Sequence, residues 1–271
     1  MISIVILTLD EEINIARAIQ SVEWSDDIHI LDSFSSDKTL EIASSFGTNI
    51  HQRKFDNYAN QRNHALQNIK YKYQWVLFLD ADEEVTTALK NEILKVTTSS
   101  LPDDCIYRMR RKDFYLGQWI KHSSAYPTWF GRLVRPDRVE VKRAINEEYH
   151  TTGNSHELKE HLNHYPFAKG VSEWIAKHNR YSTMEAENFS QYKSDIKISE
   201  FLSKDPTTFR RSLKALAYNL PLRPVITFLY LYFIRGGFLD GKAGYYYAAL
   251  RSSYELMIDA KRAEKKNNKS S

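Results

Sequence analysis

Cysteine is nearly absent from this chain of 271 residues, in which Cys105 stands alone. A disulfide bond within the chain is therefore impossible, and a reducing, cytoplasmic compartment is expected. The first residues after Met1 lack a basic segment and a small-residue cleavage site. We therefore expect no secretory signal peptide.

Long hydrophobic runs are also missing. The apolar stretch at residues 225–234 is far shorter than the ~20 residues needed to cross a bilayer. It lies between Arg223 and Arg235 and contains Tyr230 and Tyr232. This pattern fits a helix on an anionic membrane surface, and equally a buried helix or a homodimer contact. Peripheral attachment to the inner membrane face is one expectation.

Two nucleotide-binding signatures are absent. No GxGxxG follows the first predicted strand, which excludes the dinucleotide fingerprint, and no GxxxxGK[ST] occurs, which argues against a P-loop nucleotidase.

The net charge of +4 is unevenly distributed, because residues 205–271 hold 12 Lys and Arg against 5 Asp and Glu. A basic tail can serve nucleic acid, a membrane or solubility. Since the chain carries no nucleic-acid motif, we predict no nucleic-acid partner.

Apolar runs alternate with helical patterns over the first hundred residues, which predicts an α/β fold with a mostly parallel sheet and helices on both faces. The predicted strands are 2–7, 27–33, 48–53 and 75–80, and the predicted helices are 10–22, 35–46, 58–70 and 89–98. Further extended segments are predicted at 105–121, 129–136 and 144–150, followed by a long helix at 172–192. We divide the chain into a catalytic domain, 1–170, and a helical C-terminal extension, 171–271, whose last residues, 261–271, are expected to fray.

Acidic residues follow three of the predicted strands. They are Asp10 and Glu11 after the first, Asp32 at the second, and Asp80 and Asp82 in "WVLFLDADEEV". Ligands bind at the carboxyl ends of strands in such sheets. Side chains two residues apart in a strand point the same way, so Asp80 and Asp82 could share one Mg²⁺ or Mn²⁺. The alternative is a strand end with solvated acids.

Several segments together resemble family 2 inverting glycosyltransferases of the GT-A fold, and more narrowly the bacterial subgroup that extends lipopolysaccharide core and related surface glycans. The matching segments are "ISIVILTLDEEINIARAIQSV", "ILDSFSSDKTLEIA", "YANQRNHAL", "WVLFLDADEEV", "FYLGQWIKH", "NHYPF", "HNRYSTMEAE" and "RPVITFLYLYFIRGGFLDGKAGYYYA". They span nearly the whole chain in the family's order. The resemblance implies a nucleotide-sugar donor, with UDP the commonest base, and a glycan or lipid-linked glycan acceptor.

The resemblance also implies roles for single residues on the donor side. Asp82 would be the main metal ligand, Asp80 would contact ribose or metal, and His164 would approach the metal or the diphosphate, although a structural role for His164 is equally open. The residues expected to line the nucleotide-sugar pocket are Thr8, Asp10, Glu11, Asp32, Gln61, Arg62 and Asp80.

An inverting transfer needs a base for the acceptor hydroxyl. The family has a His-Glu pair where this chain has Asn146 and Glu147, so Glu147 is the predicted base and Glu148 the alternative. The alternative that Glu147 and Glu148 are loop acids without a catalytic role remains open. Because Asn146 replaces the family histidine, an inactive nucleotide-binding scaffold is a second hypothesis. The candidate acceptor platform is Trp119, Trp129, Arg132 and Arg135. For each of them the alternative, a core aromatic or a solvated arginine, is equally open. The family motif His178, Asn179 and Arg180 has no assigned role.

Overall fold

The computed structural model describes residues 1–124, 126–142, 148–188 and 222–267. The predicted base Glu147 and its neighbour Asn146 lie outside these residues. The chain divides into two compact units: Met1–Phe114 with Ala125–Ala168, and Tyr115–Ser124 with Lys169–Ser271. This division differs from the sequence-based one mainly in the segment Tyr115–Ser124, which belongs to the second unit.

The secondary-structure elements within the described residues follow in chain order. The strands are β1 (Ser3–Thr8), β2 (Ile28–Asp32), β3 (Asn49–Gln52), β4 (Val76–Asp80), β5 (Glu83–Val85), β6 (Asp104–Tyr115), β7 (Gln118–Trp119), β8 (Trp129–Val134), β9 (Glu140–Lys142), β10 (Glu148–His150) and β11 (Asn154–His164). The α-helices are α1 (Ile15–Gln20), α2 (Thr39–Ser45), α3 (Tyr58–Asn68), α4 (Thr87–Thr98), α5 (Gly170–Asn188), α6 (Arg223–Leu229) and α7 (Gly241–Asn267).

The sheet of the first unit begins as the sequence predicts. Its strand order is β3-β2-β1-β4-β8-β6-β11-β5, and β3, β2, β1 and β4 are parallel. Strand β8 then runs antiparallel to β4 and β6, β11 is parallel to β6, and β5 is antiparallel to β11. Strands β1, β2 and β4 of this parallel half have largely apolar sequences, because they are covered on both faces. Strand β3, at the edge, is largely polar and mostly exposed.

Two hydrophobic cores cover the two faces of this sheet. Ile4 and Ile6 of β1 point into one core with helices α1, α2 and α4. Val5, between them, points into the other core with helix α3. All three are fully buried, and burying one such side chain contributes about 1.5–3 kcal/mol. This two-sided burial explains why β1 is apolar at every position from Ile4 to Leu7.

Strands β5 and β11 were not predicted. Residues 154–164 are mostly polar, and the spacing of Leu158 and Leu162 also fits a helix. In the sheet both leucines are buried, since residues four apart in a strand share a face. Tertiary pairing with β6 and β5 therefore decided the structure of this segment.

The second unit is mostly helical in its described part. Besides the short strand β7 it contains α5, α6, a π-helical turn at Tyr230–Ile234, a 3-10 turn at Gly237–Asp240, and α7. The expectation that residues 261–271 fray was wrong for residues 261–267, because α7 continues to Asn267. Lys261 explains the difference, since its Nζ donates to the carbonyl oxygen of Asn179 at 2.6 Å and to Ser182 Oγ at 2.8 Å. Residues 268–271 lie outside the described residues.

The family motif His178, Asn179 and Arg180 lies at the centre of α5, where its first two residues make packing and hydrogen-bond contacts. The His178 ring stacks on Trp174 with centroids 3.5 Å apart, and its Nδ1 lies 2.8 Å from the Trp174 carbonyl oxygen. The edge of the His178 ring also meets Tyr254 of α7. Asn179 accepts from Lys261 through its side chain as well, at 2.7 Å. These contacts hold α5 against α7 within the second unit.

Candidate active site

The carboxyl ends of β1 and β2 form the first wall of the site. Thr8 is in register with Asp32, and its Oγ1 donates to Asp32 Oδ1 at 3.0 Å. The other oxygen of Asp32 accepts from the Ser35 N–H at 2.9 Å and from Gln52 Nε2 at 3.1 Å. Asp32 is fully buried. Its visible bonds therefore hold the loop after β2 in place, and its predicted contact with the nucleotide stays a prediction.

Asp10 and Glu11 tie the loop after β1 to the loop after β2. Asp10 adopts a left-handed backbone conformation with φ of 53°, which Asp tolerates better than most residues. Its exposed carboxylate accepts from the Ser36 N–H at 2.7 Å. The Glu11 N–H donates to Thr39 Oγ1 at 2.7 Å. The two loops are thus joined at the edge where a ligand is expected.

Gln61 and Arg62 of α3 are both buried. Gln61 Oε1 accepts from Arg53 Nη1 at 2.6 Å, and its Nε2 donates to Ser33 Oγ at 3.2 Å. Arg62 Nη2 donates to Asp80 Oδ1 at 2.8 Å. The helix therefore delivers one amide to the β2 loop and one guanidinium to the end of β4.

Asp80 lies between two buried arginines. Its Oδ2 is 2.6 Å from Arg132 Nη2, which also donates to Glu83 Oε1 at 2.8 Å. Burial alone would raise the pKa of Asp80, but Arg132 and then Arg62 hold the pKa well below its usual range. Strand β4 ends at Asp80. The alternation of side chains that was expected to place Asp82 on the same face as Asp80 therefore does not extend to Asp82. Asp80 and Asp82 have different visible partners.

Asp82 faces His164 instead. His164 Nε2 lies 3.3 Å from Asp82 Oδ2, and His164 Nδ1 lies 2.7 Å from Asp113 Oδ1. Asp113 also lies 3.3 Å from Arg111 Nε. Burial and Arg111 lower the pKa of His164, but Asp82 and Asp113 outweigh them and raise it above its usual value. The register of β11 with β6, which sets His164 opposite Asp113, creates this chain of three side chains.

The geometry of Asp82 and His164 fits a divalent cation better than the geometry of Asp80 does. A metal-binding histidine almost always has its other ring nitrogen held by a carboxylate or carbonyl, as Asp113 holds His164. Both oxygens of Asp80 already face guanidinium groups. In the part of the chain that the structure describes, no three His, Cys, Asp or Glu side chains form a metal-binding group. Two protein ligands would leave positions open for phosphate oxygens, as Mg²⁺ and Mn²⁺ sites commonly do.

The candidate acceptor residues lie in different settings. Trp129 of β8 is half-buried, with the Arg110 guanidinium 5.1 Å from its ring centroid. Trp119 belongs to the second unit. Arg132 is buried among the carboxylates of Asp80 and Glu83, on the side where the donor is expected. We call the group Arg62, Asp80, Glu83 and Arg132 the donor edge. Arg135 is buried too and donates to the carbonyls of Leu101 and Pro102, a position that does not support its expected role against phosphate.

The predicted base Glu147 lies outside the described residues, so its role stays a prediction. The alternative, Glu148, begins β10 and has its Oε2 3.9 Å from His150 Nε2 on a partly exposed surface. Sequence reasoning missed Glu83, Arg111 and Asp113 entirely. The pair Arg111 and Asp113 had a readable signal, because residues two apart in the extended segment "RMRRKDF" share a face.

Comparison with known proteins assigns the chain to a family. The sequence model described as Glycosyl transferase family 2 matches residues 3–162. An uncharacterized glycosyltransferase of Rickettsia prowazekii (strain Madrid E) is 27% identical over 256 residues, covering 90% of this chain and 80% of that protein. The lipopolysaccharide core biosynthesis glycosyltransferase LpsC of Rhizobium meliloti (strain 1021) is 27% identical over 270 residues, covering 96% of this chain and 91% of LpsC.

Solved structures give a weaker likeness. The crystal structure of S. aureus TarS 1-349 in complex with UDP-GlcNAc has a TM-score of 0.42 and 13% identity, covering 97% of this chain and 91% of that one. The predicted fold class, an α/β fold with a mostly parallel sheet, helices on both faces and a helical C-terminal part, is confirmed for the described residues. The family model matches more than half of the residues of this chain. The chain therefore belongs to glycosyl transferase family 2 and is a glycosyltransferase.

Proposed function

We propose that this glycosyltransferase moves a sugar, with inversion, from a nucleotide-sugar donor to a lipopolysaccharide-core or other surface-glycan acceptor, and that it needs Mg²⁺ or Mn²⁺. The observation that carries the proposal is the pair Asp82 and His164, 3.3 Å apart at the carboxyl edge of the sheet and backed by Asp113. The likeness to LpsC supports the acceptor class. A UDP-sugar is the proposed donor.

Each group at this edge has a proposed task. Asp82 and His164 hold the cation, which neutralises the charge of the departing nucleoside diphosphate. Asp113 holds the His164 ring so that Nε2 faces the cation. Asp80, kept ionised by Arg62 and Arg132, sits beside this pair and contacts the donor ribose. Thr8, Asp10, Glu11, Asp32 and Gln61 shape the pocket for the nucleoside.

Proton removal from the acceptor hydroxyl is assigned to Glu147. The base of an inverting transfer must lie opposite the leaving group, so it comes from a segment after the donor motifs. Trp119 and Trp129 are proposed to contact acceptor sugars. A lipid-linked acceptor would place the enzyme at the cytoplasmic face of the inner membrane. The competing function, a nucleotide-binding scaffold without catalysis, is favoured only by Asn146 in place of the family histidine.

A thermal-shift panel with a transfer assay tests the proposal. UDP, GDP, dTDP and CMP are each added with and without Mn²⁺, and transfer is followed as nucleotide release from the matching sugar nucleotides. At 100 times its Kd a ligand stabilises the protein by about 2.7 kcal/mol. We expect one nucleotide to stabilise the wild type only with metal, and Asp82→Asn to lose both stabilisation and transfer.

Asp137→Asn is the matched control, since Asp137 is an exposed aspartate outside the site. It should behave as the wild type does. Metal-dependent binding that survives in Glu147→Gln while transfer disappears would support Glu147 as the base. The contrary result is a wild type that binds a nucleotide and yet transfers sugar from none of the donors to a lipopolysaccharide-core acceptor. That result would overturn the proposal in favour of the scaffold.

A further inference from the structure

A stripe of large apolar side chains faces outward along α6 and the π-helical turn that follows it. Their spacing of three and four residues places them on one side of the helix. Their exposures run from 41% for Ile226 to 77% for Ile234. The stripe consists of Leu222, Val225, Ile226, Leu229, Tyr230, Phe233 and Ile234.

The opposite side of the same helix is already packed. Arg223 is buried and forms ion pairs with Glu255 and Asp259 of α7. The Phe228 ring stacks on Tyr232 at 5.4 Å and meets the Tyr245 ring edge-on at 5.9 Å. The outward stripe is therefore additional to the face by which α6 joins the second unit.

The stripe continues onto the 3-10 turn and the start of α7. Phe238, Leu239, Tyr245 and Tyr246 are between 47% and 64% exposed. We call these four residues together with the stripe the apolar face. Soluble monomers rarely expose contiguous patches of this kind without a partner.

The turn that presents Phe238 and Leu239 is held firmly from behind. Asp240 is buried, and its Oδ2 accepts from the N–H groups of His122 and Ser123 at 2.9 and 2.8 Å. A Cβ on Gly244 would lie 2.0 Å from the Gly237 carbonyl oxygen, so only glycine permits this approach of α7 to the turn. The apolar face is thus a defined surface and not a frayed end.

The charges around the apolar face favour an anionic occupant. The basic residues near it are Arg235, Lys242 and Arg251, whereas Arg223 is buried and already paired with Glu255 and Asp259. Residues 222–254 contain one acidic residue, the buried Asp240. A two-fold dimer through this face would bring like charges of the two copies together. An anionic lipid surface would attract them by about 1 kcal/mol for each basic side chain near it. Half-exposed tyrosines are also typical of the boundary between lipid and water.

No helix among the described residues is long and apolar enough to cross a membrane. We infer that the apolar face docks the protein onto the surface of an anionic bilayer, with Phe233, Ile234, Phe238 and Leu239 entering the headgroup and upper acyl region. Helices of this type lie in the interface, buried by about 5–10 Å. The inference concerns a surface of the second unit and holds whether or not the proposed reaction does.

Co-sedimentation of the full chain with vesicles tests the inference. One vesicle preparation is phosphatidylcholine alone, and the other mixes phosphatidylcholine with phosphatidylglycerol. We expect binding to the anionic vesicles, weakened at least tenfold in the double variant Phe233→Ser, Ile234→Ser, because two exposed apolar side chains no longer enter the bilayer. Lys242→Gln should weaken it by about fivefold, since one basic side chain near the surface is lost.

Leu101→Ser is the matched control, since Leu101 is 64% exposed in the first unit. It should bind vesicles as the wild type does. All the variants replace exposed side chains, and unchanged melting temperatures would show that they fold. Transfer to a soluble acceptor fragment should also survive in the double variant, which separates this surface from the reaction.

Two results would overturn the inference. One is equal vesicle binding, or none, by the wild type and the double variant. The other is a wild-type dimer in size-exclusion chromatography that the double variant dissociates, because the apolar face would then be covered by a second copy of the chain.

Discussion

The donor edge of the first unit and the apolar face of the second unit depart in opposite ways from the usual distribution of residues. In most proteins charged side chains are exposed and large apolar side chains are buried. At the donor edge, charged side chains are buried: Arg62, Glu83 and Arg132 are at most 3% exposed. On the apolar face, Phe233 and Ile234 are 55% and 77% exposed. Buried charges and exposed apolar surface both cost free energy unless something compensates them. At the donor edge the compensation lies within the chain, and at the apolar face it must come from outside.

The largest expected effect comes from breaking the buried network. Arg132→Met removes the guanidinium shared by Asp80 and Glu83. Breaking a buried ion pair by removing one partner costs about 3–5 kcal/mol, and the lower end is expected because Arg62 stays beside Asp80 and Arg111 beside Glu83. Urea unfolding should show this loss of stability. Arg138→Met is the control, because the Arg138 guanidinium lies 3.7 Å from the exposed Asp103 in a solvated ion pair. It should change stability by less than about 1 kcal/mol. Equal effects of the two variants would contradict the network.

Weakening the support of His164 should have the next largest effect. Asp113→Asn removes the carboxylate that faces His164 Nδ1. Loss of such a partner lowers metal affinity by about 10- to 100-fold. We expect the Mn²⁺ concentration needed for nucleotide-dependent stabilisation to rise by that factor, with little change in saturating nucleotide binding. An unchanged Mn²⁺ dependence would leave Asp113 with a structural role alone.

Asp240→Asn tests whether the turn under the apolar face is as firmly built as the donor edge. The substitution removes the charge that accepts the His122 and Ser123 N–H groups, and hydrogen bonds to a charged group contribute about 1.5–3 kcal/mol each. A loss of about 2 kcal/mol of stability is expected by urea unfolding. Asp259→Asn, a half-buried aspartate of α7, should cost less. The reverse order would show that the turn is not held through Asp240.

The last expected effect is a pH dependence in the second unit, which is absent at neutral pH and appears only below about pH 6.5. Burial lowers the pKa of His178 to about 4 from an ordinary value of 6.5. The unfolded chain binds the proton more tightly than the folded one, so His178 contributes stability above pH 6.5 that is lost as pH falls toward 4. His178→Gln should therefore flatten the fall in melting temperature between pH 6.5 and 4, compared with the wild type. Parallel curves for the two proteins would contradict this assignment.

Sequence reasoning succeeded where local pattern and burial agree. The apolar strands β1, β2 and β4 and the helices between them follow from periodicity, because both faces of the parallel half of the sheet are covered. Acidic residues at the strand ends predicted the edge where Asp80, Asp82 and His164 lie. The prediction failed at β11, whose polar sequence gives no strand signal. It therefore missed how His164 reaches Asp82.

Pairing between distant charged residues was the other limit of sequence reasoning. Arg132 looked like an acceptor residue because its position along the chain lies after the donor motifs. In the fold its guanidinium lies 2.6 Å from Asp80, fifty-two positions earlier. Nothing in either local segment indicates this partner, because a strand pattern specifies which face a residue occupies but not which strand becomes its neighbour.

The amino-acid sequence by itself determined the parallel half of the sheet, the edge that carries the acids and the family resemblance, because those depend on short-range periodicity and on motifs contiguous along the chain. Only the tertiary structure decided that Asp82 faces His164, that Asp80 lies between Arg62 and Arg132, and that the stripe on α6 points outward. Each of these depends on which distant segments pack together, and packing is decided by the burial of whole faces and not by any one segment.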